Sequence, residues 1–572
     1  MRGMETGKTE IRHRVFTEIA RLAYEGGDYA EALEELTYKI RPGDPDEAGS
    51  YRGSVLYERA VIGERLRLAM GLPMRKMGVH NNIRDGVDAS VIAEKYYEPP
   101  LINVIKFACN KCPDNTVVVT NLCQGCLERP CMSVCPKHAI SRVKGQAYID
   151  PSICIRCGKC MEACSFKAIT RLERPCKKAC GVNAISSDDH GRAEIDYSKC
   201  TSCGQCLVNC PFGAISDKSQ IFQTIMAIKS GTPVYAILAP AFVGQWGPDA
   251  IPEKMHAAFS RLGFADVYEA ATGADLCVIE EAADFLEEVP SNHSFMVTSC
   301  CPSWSDLVKK MFPEMKGNIS VAMTPMVLTA RFVKKQHPGC KVVFVGPCDA
   351  KKLEASRRTV RSDVDFVLTF EEVLGMFAAK GVDKECIPME EARPLTQAGA
   401  DARMFSVSGG VAQAVVNAIV LVAVFTAEYH PYFYKTMRIL KDGMYNRMEV
   451  TDGIIWVIHY IHLAVVILAV FILCIMRYRE SSPIHKKRIL YMIAGVGTFA
   501  LELILKGLGV FGSYNPVVIA MTIMMFCMMM AMIRYGYFDS QQAAVDNVFH
   551  HGKEGLIILD AENKIISVNQ RM

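Results

Sequence analysis

The sequence is short of net charge: 64 lysines and arginines stand against 61 aspartates and glutamates, a formal +3 over 572 residues. That near-balance excludes a general pull toward nucleic acid or an anionic surface. An apolar leader core is also missing, because the chain opens MRGMETGKTEIRHRVF, and no secretory signal is expected. A chain of this length has room for about three to four domains. It is therefore no small secreted disulfide scaffold.

What it has in excess is cysteine, 24 in all, and sixteen of them lie between Cys109 and Cys210. Thiols spaced two and three residues apart in a chain without a leader point to metal before disulfides. Cys123-x2-Cys126-x4-Cys131-x3-Cys135-Pro136 is followed by Cys154-x2-Cys157-x2-Cys160-x3-Cys164. This is the two-cluster ferredoxin pattern, in which the fourth cysteine of each run ligates the other cluster. It assigns Cys123, Cys126, Cys131 and Cys164 to one 4Fe–4S cube and Cys154, Cys157, Cys160 and Cys135 to the next. Zinc is the weaker reading, and the x4 spacing in the first run is a departure that a loop can absorb.

Cys200-x2-Cys203-x2-Cys206-x3-Cys210-Pro211 is a third run, and its partner is split. Cys109-x2-Cys112 and Cys176-x3-Cys180 make a fourth run once residues 113–175 are treated as an insertion. Cys135 to Cys154 is 19 residues and Cys180 to Cys200 is 20, which supports one dicluster module nested in another. The outer module would use Cys109, Cys112, Cys176 and Cys210 for one cluster, and Cys200, Cys203, Cys206 and Cys180 for the other. About four clusters in series would form an electron wire.

Around this region the texture changes twice. Residues 9–75 carry apolar positions at helical spacing, broken at Arg41-Pro42-Gly43-Asp44-Pro45, and show no chemistry. From 232 onward, apolar runs at 234–240, 295–297 and 341–346 alternate with amphipathic stretches at 251–262, 275–288 and 321–336, the pattern of α/β with parallel sheet. Residues 454–476 hold no formally charged group, and 489–511 and 517–533 are two further candidate membrane spans, with 411–427 a marginal fourth. The basic loop 477–488 and Arg534 would face the cytoplasm. The closing Gly555–Asp560 and Ile565–Val568 read as one hairpin.

Thr298-Ser299-Cys300-Cys301-Pro302-Ser303-Trp304 and Val345-Gly346-Pro347-Cys348-Asp349-Ala350-Lys351-Lys352-Leu353-Glu354 each follow an apolar run. Both place cysteines at the carboxyl ends of expected strands, where open α/β folds build their sites. Metal ligation, a redox pair and plain buried thiols all remain open on this pattern alone.

On these two motifs and the cysteine runs, residues 50–418 resemble the iron-only (FeFe) hydrogenases. The resemblance implies a cofactor, the H-cluster, that joins a 4Fe–4S cube to a two-iron unit. Cys301 and Cys348 would then ligate the cube, and Cys300 would pass protons to the two-iron unit. Lys351 would hydrogen-bond a cyanide, while Glu281, Ser320 and Asp284 would relay protons outward. Asp284 stands where the family usually has Glu, and Gly346 where many members have Met. The family's third motif, with two cysteines in a Cys-x3-Cys setting, has no counterpart, since after Cys386 come only Cys474 and Cys527.

From about 419 the chain resembles instead the seven-helix membrane sensor region of bacterial histidine kinases, followed by the start of a PAS domain, without a kinase core. The expected fold class is thus multidomain α+β and α/β: ferredoxin-like dicluster modules, an incomplete hydrogenase α/β domain, then a transmembrane helical segment. The expected domains are a helical region (1–100), the nested modules (101–215), the hydrogenase-like domain (232–418), a partial transmembrane sensor region (419–538) and an incomplete PAS-like domain (544–572). The expected function is iron–sulfur electron transfer to an impaired site for reversible H2 oxidation and proton reduction. The alternative is a non-catalytic electron carrier or a membrane-attached redox sensor. Ferredoxin, H2 and protons, and a lipid bilayer are the expected partners, without nucleic acid. The cluster domains would be cytoplasmic and held to the inner membrane by the C-terminal helices.

Overall fold

The computed structural model describes residues 6–425 apart from 97, 290, 358–361 and 396–397. Beyond them it describes the strand pairs at 434–452 and 557–568 and scattered residues between 467 and 505. Two compact units divide at Ala418 and Ile419.

The first unit is organised on a four-stranded parallel sheet in the order Asp266–Glu269, Val234–Leu238, Lys341–Gly346, Phe366–Thr369. Val343 and Val267 both pair with Ala236, and Val345 pairs with Leu368. The strands are Val-, Ile- and Phe-rich and mostly buried on both faces, which is what a parallel sheet covered by helices requires. The expected amphipathic stretches appear as the helices Met255–Leu262, Ala271–Glu288 and Pro325–Gln336. Gly273 lets two of them meet closely, since a Cβ there would lie 2.3 Å from Thr329 Oγ1. The expected strand at 295–297 does not form. Val297 makes a single parallel bridge to Ile319, so TSCCPSW follows an irregular segment instead of a strand.

The N-terminal helices Gly7–Glu25, Tyr29–Ile40 and Val55–Ala69 share one hydrophobic core with this sheet, through residues such as Phe16, Ile19, Leu33 and Leu66. A buried charge network fastens them. Arg12 reaches Asp217 Oδ1 at 2.7 Å and Glu371 Oε2 at 3.0 Å. Lys352 is fully buried, with Nζ 2.9 Å from Glu372, 3.0 Å from Asp349 and 3.3 Å from Asp217. Burial disfavours its charge, but Glu372, Asp349 and Asp217 together more than offset that and hold its pKa above the usual lysine range. Glu372 also closes the capping box of its own helix with Thr369.

The cysteine region is built of two-stranded antiparallel ribbons. Thr116–Val119 pairs with Ile169–Leu172 and Ile140–Val143 with Gln146–Ile149, both in the inserted segment. Ile102–Val104 pairs with Ile215–Asp217, and Ile185–Ser187 with Ala193–Ile195, in the outer one. Two small cores result, each composed of cysteines and the Ile, Val and Ala of these ribbons.

The expected transmembrane segment is corrected. Among the described residues no helix is long and apolar enough to cross a membrane. The helix Gly410–Phe425 has 16 residues, roughly 24 Å at 1.5 Å per residue, short of the roughly 30 Å hydrocarbon core. Membrane attachment through C-terminal helices, and a bilayer as partner, therefore have no support. The candidate spans 454–476, 489–511 and 517–533 lie wholly or mostly outside the described residues. In the second unit, Tyr434–Asp442 and Tyr445–Asp452 form an antiparallel pair. The hairpin expected near the end is present, Ile557–Leu559 with Ile565–Val568.

Candidate iron–sulfur and active site

Each four-residue cysteine set expected from spacing is gathered in space. Cys135, Cys154, Cys157 and Cys160 line one cavity. Cys109, Cys112, Cys176 and Cys210 line another. Cys123, Cys126, Cys131 and Cys164 line a third. Cys200, Cys203, Cys206 and Cys180 are electrostatic neighbours, which brings the fourth set together as well. Residues 113–175 thus sit as an insertion between Cys112 and Cys176 without separating those two from one cavity. Among the described residues no three His, Cys, Asp or Glu converge closely enough for a single metal ion. The thiols ring cavities, an arrangement that fits four-iron cubes.

The local backbone explains how four thiols can point at one space. The residue before the second cysteine of each run has positive φ: Lys111 at 50°, Gly125 at 60°, Arg156 at 60° and Ser202 at 53°. Such left-handed residues turn successive N–H groups inward and make an anion-binding concavity. Gly125 is also a close approach, because a Cβ there would stand 2.3 Å from Gly145 O. Four residues after the last cysteine of each run an alanine N–H donates to that thiol: Ala139 to Cys135 at 3.3 Å, Ala168 to Cys164 at 3.4 Å, Ala184 to Cys180 at 3.2 Å and Ala214 to Cys210 at 3.4 Å. An isoleucine follows each alanine and starts a ribbon strand. This fourfold Cys-x3-Ala-Ile phrase is legible in the sequence, yet the cysteine spacing alone does not draw attention to it.

Burial raises the thiols, Cys176 to about 11 and Cys206 to about 12, with neighbouring cysteines adding to the shift. Thiolates this costly to bury need cationic iron to hold them deprotonated. Arg174, buried beside Cys176, offsets part of the shift and donates to Cys112 O at 2.9 Å. Cysteine spacing gave no hint of that arginine.

The outer module abuts both motif regions. Ser303 Oγ donates to Thr201 O at 3.2 Å, and Lys310 Nζ donates to Cys200 O at 2.9 Å. Asp349, next to Cys348, lies 3.5 Å from where a Cβ on Gly204 would stand. Cys301 is the N-cap of the helix Pro302–Met311, and Cys348 follows the strand Lys341–Gly346. Cys300, Cys301 and Cys348 are electrostatic neighbours. Lys351 Nζ donates to Cys300 O at 3.0 Å and to Glu354 Oε2 at 2.8 Å. Glu354 in turn accepts from Thr324 Oγ1 at 2.6 Å, and is a site residue that the sequence reading passed over.

The three expected relay residues are brought close together. Glu281 and Asp284 lie one turn apart on the helix Ala271–Glu288. Ser299 N donates to Glu281 Oε1 at 3.3 Å, and Ser320 Oγ donates to Asp284 Oδ2 at 3.1 Å. Burial, with Asp284 adding, raises Glu281 to about 7, and its Oε2 is buried without a hydrogen-bond partner. Cys300 is raised to about 11, chiefly by burial, with Lys351 opposing and Glu281 adding. A carboxyl that titrates near neutrality beside a thiol is suited to proton exchange.

Comparison with known proteins agrees with these features. Residues 232–461 match the family described as iron only hydrogenase large subunit, C-terminal domain. Residues 147–170 and 193–216 match the 4Fe-4S binding domain, and 401–540 match the N-terminal 7TM region of histidine kinase. The chain is 30% identical over 329 residues to iron hydrogenase 1 of Clostridium pasteurianum, covering 53% of this chain and 56% of that protein. It is 30% identical over 221 residues to the NADP-reducing hydrogenase subunit HndD of Solidesulfovibrio fructosivorans, covering 35% and 37%. The cytosolic Fe-S cluster assembly factor NAR1 of Kluyveromyces lactis is 29% identical over 111 residues, covering 19% and 24%. The chain spans about half the length or less of these curated relatives. It is an iron–sulfur protein with hydrogenase kinship, and its clusters are of the 4Fe–4S type.

Proposed function

We propose that this chain carries electrons through four 4Fe–4S clusters to a hydrogenase-type pocket bounded by Cys300, Cys301 and Cys348. The reaction class is reversible H2 oxidation and proton reduction, 2H+ + 2e− ⇌ H2, with a ferredoxin-like protein as the electron partner. The observation that carries this reading is the packing of the Cys200–Cys206 loop against the helix that begins at Cys301. Electrons gathered by the cysteine region have a short path to that pocket and to no other thiol-bearing site described.

The pocket's fit to the H-cluster is incomplete. Cys301 and Cys348 offer two thiolates where a cube held by protein takes four, so catalysis is impaired. What the residues do themselves is clearer. Lys351 places fixed positive charge at Cys300, and Glu281, Asp284 and Ser320 offer a proton route between the pocket and the helix surface. A second reading, a non-catalytic iron–sulfur protein, is favoured by the same two-thiolate count and by the likeness to a cluster assembly factor.

An infrared spectrum of the anaerobic protein, made with hydrogenase maturation factors, separates the two. Bands of iron-bound carbon monoxide and cyanide support the enzyme. Their absence from protein that still holds its four clusters leaves the carrier.

A further inference from the structure

We propose that the solvent face of the inserted module, around the loop carrying Cys123, Cys126 and Cys131, is the docking surface for an acidic, soluble one-electron carrier protein. This rests on the electron-transfer reading above and adds where the electrons come in.

Four residues, Leu127 to Pro130, separate Cys126 from Cys131 where the ferredoxin spacing has two, and Leu127 is 92% exposed. Phe166, 53% exposed, lines the same cavity as Cys123, Cys126, Cys131 and Cys164. Leu122, 56% exposed, immediately precedes Cys123. Large apolar side chains held in water beside a redox site mark an interaction surface rather than a core. Nothing in the fold of the inserted module needs Leu127, since its small core is made of Val117, Ile140, Ile149, Ile169 and the cysteines.

The inserted segment carries a net positive charge, with Glu128 the acidic residue lining the cavity at Cys123, Cys126 and Cys131. Residues 113–175 carry nine Lys and Arg against five Asp and Glu, while the remaining 55 basic and 56 acidic residues nearly cancel. Arg129 and Arg142 border the cavity at Cys123, Cys126 and Cys131. The hairpin bearing Arg142 and Lys144 is fastened over Cys123, with Gln146 Nε2 donating to Cys123 O at 3.3 Å and Ala147 N to Cys123 Sγ at 3.5 Å. Exposed basic groups at the rim of an apolar patch complement an acidic partner and steer its approach. The outer module's Cys200 loop is already covered by the α/β part, which leaves the inserted module as the open end of the series. At each encounter one electron leaves the reduced carrier and enters the chain. The carrier is oxidised by one electron, the chain is reduced by one, and no bond or proton is involved.

The test uses the full, cluster-loaded chain and an acidic two-cluster ferredoxin. Calorimetry reads the affinity of the oxidised ferredoxin, and visible bleaching reads electron transfer from the reduced one. The substitutions Arg142→Glu and Lys144→Glu together should lower both affinity and second-order rate at least about tenfold at low salt. Leu127→Ser, at a side chain almost wholly in water, should weaken affinity without changing the extent of bleaching by dithionite. Wild-type rates should fall as salt rises. Variants that bind and accept electrons as the wild type does, salt-independent rates, or self-association through this face would overturn the proposal while dithionite bleaching kept the electron-transfer reading intact. Failure of dithionite to bleach the wild type would sink that reading, and the docking surface with it.

Discussion

The cysteine region and the hydrogenase-like pocket solve one problem, holding iron by thiolates, with different completeness. In the first, sixteen cysteines fall into four sets, and every set has its turn residues of positive φ and its alanine N–H donors. In the second, Cys300, Cys301 and Cys348 stand together with Lys351 and Glu281 close by, three thiols in place of a repeated four-cysteine run. A cluster site made from one local loop repeated four times carries all its ligands within about a hundred residues. A site assembled from distant segments depends on each segment being present. The scaffolding of such a site, here Lys351, Glu354, Glu281 and Ser320, can persist when its ligand set does not.

The sharpest way to break the comparison is at Lys352, where the two regions are joined. It balances Asp217 at the end of the ferredoxin ribbon, Asp349 beside Cys348, and Glu372. Lys352→Met leaves Glu372 and Asp349 without their cation and Asp217 with Arg12 alone, and denaturant unfolding should show a loss of roughly 3–5 kcal/mol. Next in size is the cysteine contrast. Cys206→Ser should remove a whole cluster, roughly four irons per chain, whereas Cys301→Ser should leave the iron of the cysteine region unchanged. Metal analysis of the two variants side by side checks this.

Gly125→Val should cost about 1–3 kcal/mol through overpacking against Gly145 O and should loosen only the cluster at Cys123, Cys126, Cys131 and Cys164, visible as a selective change in the redox titration. The smallest effect is expected at Glu281. Its folded-state pKa of about 7 lies above the ordinary 4.5, so the folded chain holds this proton more tightly. Stability from this group is lost as pH rises from about 4.5 to about 7. Glu281→Gln should flatten that portion of the stability–pH curve, read by urea unfolding at a series of pH values.

Local repeats made the cysteine region legible. The ligand sets follow from spacing because three ligands of a cube come from one short loop, and even the split fourth run could be rejoined by counting. The parallel sheet was legible from β-branched runs at 234–238 and 341–346. The run at 295–297 misled, because Val297 meets Ile319 at one bridge only and the segment is half-exposed. Arg174 was hidden, since a buried charge declares itself through its partners and those, at Cys112, Ser186 and Gly191, lie in other segments. The apolar stretch at 411–427 shows the limit of hydropathy alone. It is a helix as expected, but at 16 residues it has the length of a packing helix and not of a span.

Counting iron and acid-labile sulfide in the anaerobically purified chain, with Mössbauer spectra of the same sample, tests the central claim most directly. The account predicts roughly sixteen irons, all in 4Fe–4S cubes with four thiolate ligands each. Eight irons or fewer after full reconstitution, or zinc in their place, would contradict it.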